Sequence, residues 1–194
     1  PGLTLGPLLH EFKWNNNDFN KLASGTLAGH IIECGAQCTG GNYSKWYELK
    51  DLINIGYPIV EVQSCGDFNV TKPKNSSGVV NRISVVEQIL YEMGDPKKYI
   101  SPDVCVDFTS FGLFEKNNNC VNINGVRGYK PTDTYKVSIS YFAGFKASGQ
   151  LTISGPDAYE KAKLTSDIIW KRLKLAGYEY QDTLSEYLGV SSCH

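Results

Sequence analysis

No stretch of this chain approaches the roughly 18 unbroken apolar residues that a membrane helix requires. Its opening, PGLTLGPLLHEFKW, lacks the basic segment that begins a secretory signal. Nor is there a surplus of either charge, since 19 Lys and Arg stand against 20 Asp and Glu, a net charge of −1. Without a basic excess nothing draws the chain to nucleic acid or to an anionic membrane, and neither is expected as a partner. A small, neutral or weakly acidic ligand suits this balance better. Cysteine is thin: Cys34, Cys38, Cys65, Cys105, Cys120 and Cys193 are spread over 194 residues, a length that builds a core without staples. That spread predicts free thiols and a cytoplasmic location. Sequons at Asn42, Asn69 and Asn75 point instead to a secreted, disulfide-bonded glycoprotein, but motifs this short arise by chance.

What is present organises into helices and strands. Asp18 is a good N-cap, and behind it Phe19, Leu22, Ala23, Leu27, Ile31 and Cys34 recur at the spacing of one helix face. The pattern predicts a helix over 18–34, ended by Gly35 as a left-handed cap and followed by the loop TGGN. YPIVEVQ and FNVTK read as short strands separated by SCGD. NSSGVVNRISVVEQILYEMGDP reads as a helix with Val86, Ile89 and Leu90 on one face, stopped by Gly94-Asp95-Pro96. In the second half, DVCVDF, FGLFE, CVNIN, TYKVSISYF and FKASGQLTIS are rich in β-branched and aromatic residues. The turn sequences NNN, NGVRG and AGF separate them, which is the pattern of an antiparallel meander. PDAYEKAKLTSDIIWKRLKLAG supplies the last helix, with Pro156 in its first turn and Gly177 as its cap. The expected fold is α/β or α+β: a mixed sheet with an antiparallel meander in the second half, packed by three main helices.

The join between the first long helix and its glycine loop concentrates the candidate chemistry. His30, Glu33 and Cys34 lie one helical turn apart, so their side chains share an edge. A His oriented by a carboxylate moves protons near neutral pH, and His30 and Glu33 are the candidate acid/base pair, with His30 packed in the apolar stripe and Glu33 facing water as the alternative. Cys34 is read as packing, because a thiol at a helix C-terminus sits at the negative end of the dipole. The spacing H-x-x-E-C-x-x-x-C, running from His30 to Cys38, matches neither a zinc-finger nor a H-E-x-x-H arrangement, and no metal is expected. Thr39, Gly40, Gly41 and Asn42 offer successive backbone N–H groups as a nest for a carboxylate or phosphate, with a plain helix cap as the alternative. Arg127, between glycines in NGVRGYKPT, is a candidate clamp on an anionic ligand, with Lys72 and Lys136 to supplement it. Asp103 and Asp107 stand at alternation distance and form a candidate carboxylate pair. The geometric expectation is that His30 and Glu33 open onto the glycine turn with Arg127 across it.

Several longer blocks resemble one family. LAGHIIECGAQCTGGN, NIGYPIVEV, TKP, GDPKKYISPDVCVDF, GVRGYKPTDTYKVS and SGPDAYEKA are similar, in that order, to the acyclic terpene utilisation protein A (AtuA) family, over nearly the whole chain. Members of that family are longer and carry an upstream glycine-rich α/β portion. The resemblance therefore implies that residues 1–194 form a single domain or a fragment of a larger AtuA-like domain. It further implies a role in breakdown of branched acyclic terpenoids, with substrates carried as coenzyme A thioesters, and no defined reaction. His30, Glu33, Gln37, Thr39 to Asn42 and Arg127 are the polar members of its most distinctive blocks. The chain is expected to be an enzyme or enzyme subunit acting on a small acyl or carboxylate ligand. The alternative is a non-catalytic binding subunit, in a homo-oligomer or in a complex with a complementary chain.

Overall fold

The computed structural model describes residues 2–135 and 137–190. Its class is mixed α/β, with four helices and two antiparallel sheets. Two units divide the chain, Pro1–Ile139 and Ser140–His194, and each is described by itself.

The first unit is organised around one central helix. Helix α1 spans Gly2–Phe12 and α2 spans Phe19–Ile32. As the cap chemistry predicts, the Asp18 side chain accepts a hydrogen bond from the Lys21 N–H at 3.3 Å and starts α2. From Leu22 to Ile31 every residue of α2 is buried, because α1 and strands from both sheets pack around it. Ala23, Gly25, Ala28 and Gly29 keep the helix slim enough for that enclosure. Helix α3, Arg82–Ile89, opens with a capping box: the Asn81 side chain accepts from Ser84 N–H, and the Ser84 hydroxyl accepts from Asn81 N–H. Its buried face is Ser84, Val85, Gln88 and Ile89, while Leu90 is exposed. The inward stripe is thus turned from the expected Val86, Ile89 and Leu90 set.

Two sheets complete this unit. Strands β1 (Ile59–Val62), β2 (Phe68–Thr71), β5 (Gly112–Asn117) and β6 (Cys120–Asn124) form one in the order β1-β2-β6-β5. Strands β3 (Tyr99–Ile100), β4 (Cys105–Asp107) and β7 (Arg127–Tyr129) form the other in the order β3-β4-β7. Phe68 pairs with Ile123 and Val70 with Val121, and all four are fully buried. The period of two puts these apolar side chains on one face, toward Leu27, Ile31 and Val85 in the core.

The chain departs from expectation in three further places. A fourth helix, α1, forms where Pro7 and the lack of an N-cap residue gave no helix signal, and burial of Leu5 holds it against α2. Arg127 lies in strand β7 rather than in a hairpin loop. TYKVSISYF and FKASGQLTIS, expected as strands over 134–142 and 145–154, form none among the described residues. Their alternation of apolar and polar residues is real, yet Tyr141, Phe145 and Leu151 are all exposed, and a strand forms only where a neighbour pairs with it.

In the second unit, helix α4 spans Ala158–Leu175. Gly177 ends it at φ +84°, with the Tyr178 N–H bonded back to Leu173 O at 3.1 Å. The segment after it returns along the helix, where Trp170 Nε1 donates to Ser185 Oγ at 2.8 Å and Tyr159 meets Tyr187 edge to face. Among the described residues no helix is long and apolar enough to cross a membrane.

Candidate functional site

His30 occupies the last turn of α2 and is 2% exposed. Tyr99 of β3 and Phe108, just after β4, lie beside its ring with centroids 5.6 Å away, stacked on each other at 4.9 Å. His30 Nε2 lies 3.1 Å from the carbonyl oxygen of Ile89 at the end of α3. A carbonyl only accepts, so Nε2 carries the hydrogen and donates. In return Gln88 Nε2 donates to His30 O at 2.8 Å. These reciprocal bonds clasp the C-terminal ends of α2 and α3. His30 Nδ1 faces Glu33 Oε2 at 3.4 Å and is buried without a hydrogen-bond partner. Glu33, the C-cap of α2, has a 44% exposed side chain.

The pair forms as its helical spacing predicts, but its imidazole is closed off from solvent. Aromatic side chains and the Ile89 carbonyl enclose the imidazole, so no substrate atom reaches it. Of the two, Glu33 alone meets solvent. Burial raises the Tyr99 hydroxyl above the ordinary tyrosine range, and the Glu33 and Glu92 carboxylates raise it further.

The glycine turn is closed as well. After α2, Gly35 takes φ +55° and a short 3₁₀ turn covers Gly35–Gln37. The Thr39 and Gly41 N–H groups both donate to Ala36 O, at 3.2 and 2.9 Å, and the Gly40 N–H donates to Gln37 O at 3.1 Å. With these donors satisfied internally, the expected anion nest is not formed and the helix-cap alternative holds. Thr39 is fully buried, its hydroxyl 3.0 Å from Ala36 O and also bonded to Gly56 O. Asn42 and Gln37 bond to each other at the surface, Nδ2 to Oε1 at 3.1 Å.

The expected cations stand elsewhere. Lys72 Nζ donates to Ser76 O. Arg127 sits opposite Asp107 in the β4–β7 ladder with an exposed side chain, and its backbone N–H donates to Ser110 Oγ at 3.0 Å. Among the described residues no hydrogen bond or ion pair ties either to the Gly35–Asn42 turn. Asp107 spends its Oδ1 on the N–H and hydroxyl of Thr109, which makes it a turn former rather than half of a carboxylate pair with Asp103. Lys136 lies outside the described residues. Among those described, no group of three or more His, Cys, Asp and Glu is placed to hold a metal ion.

Cys38 is fully buried, and burial alone pushes its thiol up to about 12. It therefore stays a neutral, unreactive thiol well into the alkaline range. In the native protein at neutral pH, alkylation is expected to modify exposed Cys65 and spare Cys38 until denaturant is added. Peptide mapping by mass spectrometry checks this, and rapid native labelling at Cys38 would contradict it.

The junction residues that residue patterns missed are Tyr99, Phe108 and Gln88. Gln88 did carry a signal: it is a polar residue three and four positions from Val85 and Ser84 on a face that otherwise faces inward.

The family model described as acyclic terpene utilisation family protein AtuA matches residues 1–194, the whole chain. The chain belongs to the AtuA family. Membership gives it a setting in acyclic terpene utilisation. No curated protein and no solved structure gives a significant match. In this AtuA-family chain the segment from Gly29 to Asn42 is thus a buried helix end and a closed turn, with Glu33, Gln37 and Asn42 as its outward polar side chains.

Proposed function

We propose that the chain serves acyclic terpenoid breakdown as a binding and assembly subunit. It joins a second copy or a complementary chain, and a small acyl or carboxylate compound, such as a coenzyme A thioester, is handled on the joined surface. The supporting observation is in Ser140–His194, where no described residue is buried. Helix α4 leaves Leu164, Ile168 and Leu175 exposed, although a helix without a buried face is marginal in water. Covering such surface is worth roughly 25 cal/mol per Å². Native mass spectrometry of the purified chain, with hydrogen exchange and a soak in a branched acyl-coenzyme A, tests this. A mass above that of one chain, with slow exchange along α4, is expected. A strict monomer that exchanges freely there and turns over the thioester unaided would refute the proposal.

A second reading, an enzyme with Glu33 as proton carrier, has one observation in its favour: an exposed carboxylate beside a buried ring nitrogen. Under that reading Glu33→Ala abolishes turnover of the thioester while leaving the fold and the assembled mass intact.

A further inference from the structure

The junction of α2 and α3 places two hydrogen-bond acceptors face to face. The Ile89 carbonyl fixes the ring hydrogen on His30 Nε2, so in the neutral ring Nδ1 is a bare lone pair. It points at the Glu33 carboxylate, 3.4 Å away, from a buried position with no hydrogen-bond donor of its own. Both carboxylates that act on the neighbouring Tyr99 hydroxyl, Glu33 and Glu92, are negative. Tyr91, beyond the end of α3, is subject to Glu92, Cys34 and Glu33. His30 and Ile89 each lie in the last turn of a helix, where the backbone presents its negative end. Phe108, stacked on Tyr99 beside the ring, is uncharged.

We infer that this junction is a proton-operated clasp, in which a proton taken up at His30 Nδ1 converts an acceptor-to-acceptor contact into an N–H bond donated to Glu33. The proton comes from solvent, imidazole becomes imidazolium, and Glu33 remains a carboxylate. Nε2 keeps its hydrogen and its bond to Ile89 throughout. With the proton, Glu33 is held against the ring; without it, the lone pair and the carboxylate repel and the contact loosens. Histidine is suited to the task because its ordinary titration falls in the physiological range. The Gln88 bond to His30 O survives either way, so the helices stay joined. The response is confined to Glu33 and the exit of α2 through Cys34 and Gly35. Nothing in it depends on assembly, so it is read on the full chain alone.

The test is an NMR pH titration of the ¹⁵N-labelled full chain, following the His30 ring nitrogens and the backbone amides of Ile32 to Gly35. Expected are the Nε2–H tautomer on the alkaline side, imidazolium on the acid side, and amide shifts that move with the same midpoint. In Glu33→Gln, a surface change, the side-chain amide supplies the missing donor to Nδ1, and the amides of Ile32 to Gly35 lose their pH response. A ring that stays neutral until acid unfolding would overturn the inference. So would an undiminished amide response in Glu33→Gln.

Discussion

Gly78→Ala is expected to destabilise Pro1–Ile139 by about 3 kcal/mol or more, the sum of a strained backbone and a clash that cannot relax cheaply. Gly78 holds φ at +87°, where an L side chain is disfavoured. An added Cβ would land on the carbonyl oxygen of Thr39 and lie 3.3 Å from Ile55 Cγ2. That carbonyl cannot move freely, because it accepts from the Val79 N–H at 2.9 Å. Nor can the loop retreat, since the Ser77 N–H is bonded to Asn54 O at 2.8 Å and the Thr39 hydroxyl is bonded to Gly56 O. The closed turn after α2 is thereby locked to two other loops at one glycine. A melting midpoint lower by roughly 10 °C is the expected readout. Gly94→Ala is the control: its Cβ meets nothing within 4 Å, and a shift within about 0.5 kcal/mol is expected. Gly78→Asn separates the two causes, because Asn tolerates positive φ yet keeps the Cβ. If Asn restored wild-type stability, the clash would be no part of the effect.

Where the residue pattern alone determined a local structure, it was readable in advance. Asp18, the apolar face from Phe19 to Ile31 and Gly35 define α2 within two residues, because cap, stripe and stop are all chemistry of neighbouring residues. β2 and β6 were readable for the same reason: Phe68, Val70, Val121 and Ile123 alternate with polar residues. The strands expected within residues 137–154 failed because strand formation is not a local property. Tyr141 and Leu151 have the right residue types, but among the described residues of Ser140–His194 no strand forms to complete a ladder. Helix α1 failed in the opposite direction, since tertiary burial of Leu5 overrides the weak helix preference around Pro7.

The site divides along the same line. That His30 and Glu33 touch was legible, because one helical turn separates them. That the imidazole is sealed was not, because Tyr99, Phe108 and Ile89 arrive from elements far away in sequence. A histidine on an apolar stripe carries no mark of which of its two nitrogens will be used. The glycine loop misled in a related way. TGGN has the conformational freedom of an anion nest, but Ala36 and Gln37 lie close enough to take the N–H groups first. Backbone freedom and unsatisfied donors are separate conditions, and glycine content reports only the former.

Gly128→Ala is expected to be at least as damaging as Gly78→Ala, at about 3 kcal/mol or more, and for a purely steric reason. Gly128 pairs with Val106 in the β4–β7 ladder, and its N–H donates to Asn20 Oδ1 at 3.1 Å. Here the first turn of α2 lies directly on the strand. A Cβ would fall on the Phe19 carbonyl oxygen, 2.7 Å from the Phe19 carbonyl carbon and 2.8 Å from Ala23 Cβ. Relief requires either lifting the start of α2, which carries the Asp18 cap, or peeling β7 from β4 and exposing fully buried Val106. Chemical denaturation of the full chain reads the loss. A second substitution locates the obstruction: Ala23→Gly removes one neighbour but leaves the Phe19 backbone in place, so in the Gly128→Ala background it is expected to restore little. Substantial rescue by Ala23→Gly would mean that the helix and strand are held apart by a side chain rather than in backbone contact. Gly128→Ser should fare no better than alanine, because the first added atom is already the one that does not fit.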